Sequence, residues 1–209
     1  MKRILFFLIL IFFYGCIYCQ QINDQNIIIQ EKILTANTLI KGIYLNFIEF
    51  QQNNPSVRTD FRSNEKNLPV NNIYNNMAVS RLIILDFNGD FSPFSLEHWG
   101  LCDGKHVFIN FKGKYHQISI DGKYSSFTAS ARSGNGLSSF ETDYLLNIEN
   151  GRIIRFNTVA GYRNKVRLKP IEKILAEENT SLYGEFKQDD NKKMMVFTYI
   201  KKLNESLKY

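Results

Sequence analysis

The sequence has few cysteines, few prolines and no long apolar run. Its 209 residues include 3 Cys, 4 Pro and 1 Trp. Cys16 and Cys19 lie near the N-terminus, in a segment with the features of an export signal, which leaves Cys102 without an internal disulfide partner. A lone Cys beside a predicted turn is typical of a small buried residue, and a reactive thiol is the alternative. The apolar stretch from residue 4 to 13 is shorter than the roughly 20 residues that a bilayer-spanning helix needs.

Motifs that carry catalysis are also absent from the sequence. It contains neither a GxSxG nucleophile elbow nor an HExxH zinc motif. The one CxxC spacing, between Cys16 and Cys19, lies at the N-terminus rather than in a zinc ribbon or a redox site. We therefore predict no catalytic residue, no metal site and no cofactor. A hydrolase-like enzyme with an unrecognised shallow site is the alternative.

The N-terminus predicts export. Lys2 and Arg3 precede the apolar stretch, so residues 1–19 have the layout of a signal peptide. Cleavage after Cys19 would make Gln20 the new N-terminus, whereas residues 13–16 resemble a lipobox in which Cys16 would carry lipid. We expect a periplasmic, cell-surface or secreted protein, or an outer-membrane lipoprotein if Cys16 is lipidated. Loss of the signal lowers the formal net charge from +6 to +4, which does not favour nucleic-acid binding.

The stretch from residue 96 to 129 predicts an antiparallel meander of four strands. Asp103-Gly104, Lys112-Gly113 and Asp121-Gly122 separate runs in which apolar and polar residues alternate. Such dipeptides favour two-residue type I′ hairpin turns, in which both central residues have positive φ. Two-residue loops would pair Cys102 with Lys105, Phe111 with Lys114 and Ile120 with Lys123.

This register divides the side chains between two faces, and a slip of one residue would exchange them. One face would hold a row made of His98, Ile109, His116 and Phe127. The other would hold Trp99, Phe108, Tyr115 and Tyr124, which are the candidate residues for a platform that stacks on a sugar or a peptide. Packing of these aromatic residues in the core is the alternative. The two histidines of the row would lie about 10 Å apart with His106 on the opposite face, which disfavours a shared metal.

The rest of the chain predicts an α+β domain: an antiparallel β-meander sheet with a short N-terminal helix and a helical C-terminal tail. Residues 20–37 are expected to be a flexible lead-in, 38–168 a β-rich domain, and 169–209 a helical tail that packs on the sheet. Asn46 and Glu49 have the spacing of a capping box, which predicts a short helix. Asn150-Gly151 predicts a further type I′ hairpin, and Asp189 or Asp190 is the expected cap of a last helix.

Basic residues cluster in the C-terminal third of the chain. The clustered residues are Arg163, Lys165, Arg167, Lys169 and Lys173, followed by Lys192, Lys193, Lys201 and Lys202. An anionic lipid or polysaccharide surface would attract them, and a solvated face is the alternative.

Several short segments together resemble uncharacterised secreted proteins, grouped by a domain of unknown function, of Bacteroidota-type bacteria. These segments are GIYLNFIEF before Pro55, WGLCDGK with Asn110, YLLNIENG, and the Leu/Tyr/Phe/Lys-rich tail. The resemblance covers most of residues 42–204, implies an envelope or secreted location and supplies no catalytic residue. We predict an exported, non-catalytic protein that binds a ligand or partner in the bacterial cell envelope. An envelope protein and a glycan are the candidate partners, without nucleic acid and without a transmembrane span after cleavage.

Overall fold

The computed structural model describes residues 31–64, 74–132, 139–160 and 163–208. The predicted signal peptide, Cys16 and residues 20–30 of the predicted lead-in lie outside the described residues. Within the described ranges, no helix combines the length and the apolar character that crossing a membrane requires.

Three antiparallel sheets and a set of C-terminal helices make up the described chain, which confirms the predicted α+β class. In chain order the strands are β1 (Gly42–Tyr44), β2 (Phe61–Ser63), β3 (Leu82–Leu85), β4 (Phe91–Pro93), β5 (Gly100–Cys102), β6 (Val107–Phe111), β7 (Lys114–Ile118), β8 (Tyr124–Arg132), β9 (Ser139–Asn147), β10 (Ile153–Ala160) and β11 (Arg163–Asn164). The helices are α1 (Phe47–Gln51), α2 (Leu168–Glu178), α3 (Thr180–Gln188) and α4 (Val196–Ser206). Sheet I has the order β1-β5-β6-β7, sheet II the order β2-β3-β4, and sheet III the order β11-β10-β9-β8.

The middle turn of the predicted meander is confirmed. Lys112 and Gly113 have φ of 55° and 75°, as a type I′ turn requires, and Phe111 pairs with Lys114. The predicted pairing across Asp103-Gly104 is wrong, because Cys102 pairs with Val107 instead of Lys105.

The longer first loop has a local cause. The Asp103 carboxylate accepts the backbone N–H groups of Lys105 and His106 at 2.8 and 2.7 Å, and this Asx-type turn takes the place of a two-residue loop. The pairing between β5 and β6 is shifted by two residues relative to the prediction. Because side chains alternate between faces with a period of two, each side chain of these two strands stays on its predicted face.

At Asp121-Gly122 the chain leaves sheet I, so the prediction of a four-strand meander is wrong in its last strand. β8 joins sheet III and is linked back to β7 through the bridge between Ser119 and Ser126. The fourth strand of sheet I is β1, which pairs with β5. The edge strand β1 therefore comes from a part of the sequence far from the other three strands of sheet I.

The β9–β10 hairpin is present, but the type I′ turn predicted for it is wrong. Gly151 has a φ of 76°, whereas Asn150 is not among the described non-Gly residues with positive φ. The strands close at the pair Leu146–Ile153, and the Asn147 side chain accepts the backbone N–H of Glu149 at 2.8 Å. The side chain of Asn147 thus stabilises a longer loop.

The helix ends show where capping was predictable. The Asn46 side chain accepts the N–H of Glu49 at 3.0 Å, which confirms the predicted cap of a helix of five residues. The predicted return bond is wrong in its donor, because Glu49 accepts the N–H of Leu45 at 2.8 Å instead of that of Asn46. The expected cap of the last helix at Asp189 or Asp190 is wrong, because α4 begins at Val196 with Met195 at the cap position.

Buried side chains form three clusters that place the sheets and helices in layers. Sheet I packs on sheet II through Ile43, Leu101, Phe108 and Tyr115 on one side and Phe61, Leu82 and Phe94 on the other. Its opposite face packs on sheet III and α1 through Cys102, Val107 and Ile109 with Phe50, Phe127, Tyr144 and Leu146. The far face of sheet III carries the helices through Tyr124, Leu145 and Phe156 with Ile171, Leu175, Phe186 and Leu203.

The described end of the predicted lead-in is attached to the domain. Ile33 is 4% exposed within the cluster between sheets I and III, and its N–H donates to the Gln51 carbonyl at 2.9 Å. This attachment brings residues 33–39 beside the last helix, where they form one wall of the groove described below.

Candidate functional site

The four aromatic residues of the predicted stacking platform do not form one surface. Phe108 and Tyr115 are 2% and 0% exposed between sheets I and II, and Tyr124 is 5% exposed beneath the helices. Trp99 precedes β5, outside the strand alternation, and packs on Phe50 with ring centroids 4.3 Å apart. The predicted platform is therefore wrong, and these side chains belong to three different packing clusters.

The predicted row of histidines is also wrong, because His98 and His116 lie on opposite faces of sheet I. His98 donates through Nδ1 to the Leu96 carbonyl at 2.7 Å and accepts the Tyr115 hydroxyl at Nε2. The ring of His116 lies among Phe111 and Phe127 on the other face, and its Nδ1 has no hydrogen-bond partner in the described chain.

Burial lowers the pKa of both His98 and His116 below its ordinary value, so each ring is neutral at pH 7. His106 is exposed and pairs with Asp103. In the part of the chain that the structure describes, no three His, Cys, Asp or Glu side chains come together as a metal site would require.

Cys102 is a buried thiol, as its place beside a turn predicted. It is 0% exposed, and its Sγ accepts the backbone N–H of Gly104 at 3.3 Å. Burial raises the pKa of the thiol to about 11, which keeps it protonated at neutral pH and unreactive as a nucleophile.

A groove of about 960 Å³ lies at the corner where the chain passes from sheet I to sheet III. Its walls are residues 33–39, the corner at residues 120–124 and one side of α4. The side chains that make its apolar surface are Leu34, Ala36, Leu39, Ile120, Phe197 and Leu207. Concave sites of this size with an apolar lining are where proteins bind small molecules or segments of other chains.

The floor of the groove depends on a close approach between Gly122 and Asn204. The Asn204 side chain accepts the backbone N–H of Tyr124 at 2.9 Å and donates to the Tyr124 carbonyl at 2.8 Å. A Cβ atom at residue 122 would lie 2.7 Å from Cγ of Asn204, and Gly122 has a φ of 153°. Only glycine fits between the corner and the helix without a shift of one of them.

A cluster of charged side chains closes the end of the groove. Lys123 Nζ lies 2.8 Å from a Glu149 carboxylate oxygen and 2.9 Å from one of Glu178. The Tyr124 hydroxyl donates to Oε1 of Glu178 at 2.8 Å, the same oxygen that lies 2.9 Å from Lys123 Nζ. Lys123 thereby joins the β9–β10 loop to the C-terminal end of α2.

Lys123 and Glu178 keep their charges at neutral pH. Burial disfavours the Lys123 ammonium, but Glu149 and Glu178 outweigh that cost and raise the pKa of Lys123. Burial likewise disfavours the Glu178 carboxylate, but Lys123 and the Tyr124 hydroxyl outweigh it and lower the pKa of Glu178. A general acid or base needs a pKa near the working pH. The cluster is therefore suited to holding the groove together and not to proton transfer.

The rim of the groove has cations without carboxylate partners. Lys201 and Lys208 line it and are exposed, and within the described ranges neither lies within 4.0 Å of a carboxylate. Leu34 and Phe197 are 40% and 50% exposed on the same groove. Asp121 and Glu205 also line the groove, so its edge carries charges of both signs around an apolar contact surface.

Sequence reasoning missed the polar residues that hold this site together. Lys123, Glu149 and Glu178 have no distinctive spacing in the sequence, so no local signal could have joined them. Asn204 had a signal: it follows Leu203 and lies four residues after Ile200, on the apolar side of α4. A polar residue at such a position needs a buried hydrogen-bond partner.

Comparisons with protein families, with curated protein sequences and with solved structures found no match to this chain.

Proposed function

We propose that this chain is an exported, non-catalytic binding protein of the bacterial cell envelope, and that the groove between residues 33–39 and α4 is its binding site. The observation that carries the proposal is the groove itself, whose volume is about 960 Å³ and whose lining includes the half-exposed Leu34 and Phe197. Exposed apolar side chains around a concavity are typical of a site that binds a ligand or a partner.

The charge pattern supports binding in preference to catalysis. Two titratable groups in contact beside the groove, Lys123 and Glu178, have pKa values that move away from neutrality. In the described residues, the hydrogen bonds of the histidines join them to Leu96, Tyr115 and Asp103, none of which is a Ser or Cys nucleophile. Within the described ranges, none of these histidine contacts therefore supplies the pair of nucleophile and base that the hydrolase alternative requires.

Filling the groove tests the binding site. The variant Ala36→Trp places a large ring on the groove wall, and Ala176→Trp places the same ring on the exposed face of α2, away from the groove. The probe is 8-anilinonaphthalene-1-sulfonate, whose rings suit the apolar wall and whose sulfonate suits Lys201 and Lys208.

We expect saturable binding by the full chain that Ala36→Trp weakens about tenfold and Ala176→Trp leaves unchanged, because only the first ring excludes the probe. The N-terminal apolar stretch is common to all the variants, so its contribution cancels. Equal binding by the two variants, with both folded, would show that the groove is not the site.

The exported state is tested separately by mass spectrometry of the protein recovered from its host. A chain that begins at Gln20, or one that begins at a lipidated Cys16, supports export. A mature protein that retains Met1 contradicts it and leaves the groove experiment unaffected.

A further inference from the structure

Exposed apolar side chains cluster at the start of α4, beside the groove. Met194 is 78% exposed, Met195 is 37% exposed and Phe197 is 50% exposed, while Val196 between them is 2% exposed and holds the segment on the core. Of these, only Phe197 also lines the groove. Three exposed large apolar residues within four positions form a patch that water solvates poorly.

Positive charge surrounds this patch. Residues 187–202 contain five Lys and two Asp. Lys193 is exposed, and no carboxylate in the described chain lies within ion-pair distance of it. One of the two acidic residues, Asp189, is already occupied by the Asn191 N–H and the Tyr199 hydroxyl.

A second exposed cation, Arg167, directly precedes α2 and is linked to the patch through Phe156. The backbone N–H of Arg167 donates to the Phe156 carbonyl at 2.7 Å, and the Phe156 ring contacts the Phe197 ring with centroids 5.2 Å apart. Arg167 is exposed and has no ion pair among the described residues. Cations from two parts of the chain therefore flank one apolar patch.

We infer that this corner, made of Met194, Met195, Phe197, Lys193 and Arg167, docks on the surface of a membrane that contains anionic lipids. The apolar side chains enter the boundary between headgroups and acyl chains, and the two cations pair with lipid phosphates. Methionine suits a fluid surface, because its unbranched side chain adapts to irregular contacts. Long basic side chains keep their charge at the headgroups while their stems lie on apolar surface.

The inference goes beyond ligand binding in the groove and is tested with residues that do not line it. Co-sedimentation measures binding to phosphatidylcholine vesicles with and without phosphatidylglycerol. The charge variant is Lys193→Gln with Arg167→Gln. Its matched control is Lys105→Gln with Lys114→Gln, two exposed lysines in the β5–β6 loop and at the start of β7. The apolar variant is Met194→Ser, and its matched control is Phe87→Ser at a fully exposed hairpin position.

We expect the protein to prefer vesicles with phosphatidylglycerol, since each basic residue at an anionic surface contributes about fivefold in affinity. The charge variant should then lose roughly 20-fold, and added salt should weaken binding by the wild type. Met194→Ser should lose about threefold to tenfold, because its apolar contact is gone. The two controls should match the wild type in the same assay.

Three outcomes would overturn the inference. One is equal binding to both vesicle types, and another is equal loss in the variants and their controls. The third is binding that depends on charge, that Met194→Ser leaves unchanged and that a soluble anionic polysaccharide displaces. A polysaccharide has no acyl layer, so such binding would not involve the apolar side chains. Sedimentation of the free protein accompanies each assay, and a concentration-dependent dimer that Met194→Ser abolishes would assign the patch to self-association instead.

Discussion

The Lys112-Gly113 turn and the Asp121-Gly122 corner share a sequence signal and differ in what holds them. At Gly113 a Cβ atom would meet no other atom within 4 Å, so only the positive φ of this residue opposes a side chain there. At Gly122 the same atom would lie 2.7 Å from Asn204, a residue of the last helix. The first glycine makes a hairpin, and the second makes room for a tertiary contact. A turn signal therefore identifies a bend without identifying its cause.

Replacing both glycines by alanine sharpens this comparison most. Gly113→Ala introduces a side chain at a φ of 75° and should cost about 1 kcal/mol in the free energy of unfolding. Gly122→Ala adds a clash with a helix to its unfavourable φ and should cost about 3 kcal/mol. Urea unfolding followed by Trp99 fluorescence measures both. Equal losses would mean that the helix moves away from the corner without cost.

The next largest effect is expected from Asn204→Ala, which removes both hydrogen bonds to the Tyr124 backbone. The N–H and carbonyl of Tyr124 would lose their partners in a buried position, so the free energy of unfolding should fall by about 2 kcal/mol. The double variant Gly122→Ala/Asn204→Ala should lose less than the sum of the two single variants, because Cγ of Asn204 no longer meets the new methyl group. Strict additivity would contradict a contact between the two residues.

A smaller loss is expected when the charged cluster beside the corner is broken. Lys123→Met leaves Glu178, 21% exposed, without its cation and should cost about 1 kcal/mol at neutral pH. The pKa of Glu178 is lowered in the folded state, so its contribution is present above its ordinary pKa of 4.5 and is lost as the pH falls below it. The raised pKa of Lys123 keeps the contribution below pH 10.5 and removes it at higher pH. Unfolding curves of both proteins from acid to alkaline pH test this window.

The smallest expected effect comes from protonation of the buried histidines His98 and His116. It changes the stability only at acidic pH and is absent at neutral pH. Burial lowers the pKa of His98 and His116, so below the ordinary value of 6.5 the unfolded chain binds more protons than the folded one. Stability should fall as the pH drops from 6.5, while the charged corner is unaffected until its carboxylates titrate. His116→Phe should flatten this slope, because it removes one of the two buried rings that gain a proton on unfolding. An unchanged slope in His116→Phe would show that this ring is not the source.

The predictable parts of this fold are those that neighbouring residues decide. Lys112-Gly113 makes its own turn, Asn46 and Glu49 cap their own helix, and Cys102 is buried by its strand. The error in the predicted loop at Asp103-Gly104 has a local cause. The Asp103 carboxylate accepts two backbone N–H groups, and this side-chain turn replaces the two-residue loop with a longer one. The dipeptide Asp-Gly alone does not show whether a two-residue turn or a turn held by the Asp side chain will form.

The candidate site was not predictable in the same way, because its partners are distant in sequence. Glu178 lies 55 positions from Lys123, and Asn204 lies 80 positions from Tyr124. The switch of β8 from sheet I to sheet III depends on which strands reach each edge, and β1 is far from β5 in the chain. The alternation of apolar and polar residues determines on which face of a strand each side chain lies, but it does not determine which sheet the strand joins.

The bond between Asn204 and the Tyr124 backbone has a consequence for the time at which the groove forms during synthesis. α4 is the last described helix to leave the ribosome, and until it does, the Tyr124 amide and carbonyl are hydrated and one groove wall is missing. Contacts of such long sequence separation form late, because the intervening chain must first be ordered. A nascent chain can therefore complete sheets I and II while it still has no groove to offer a ligand.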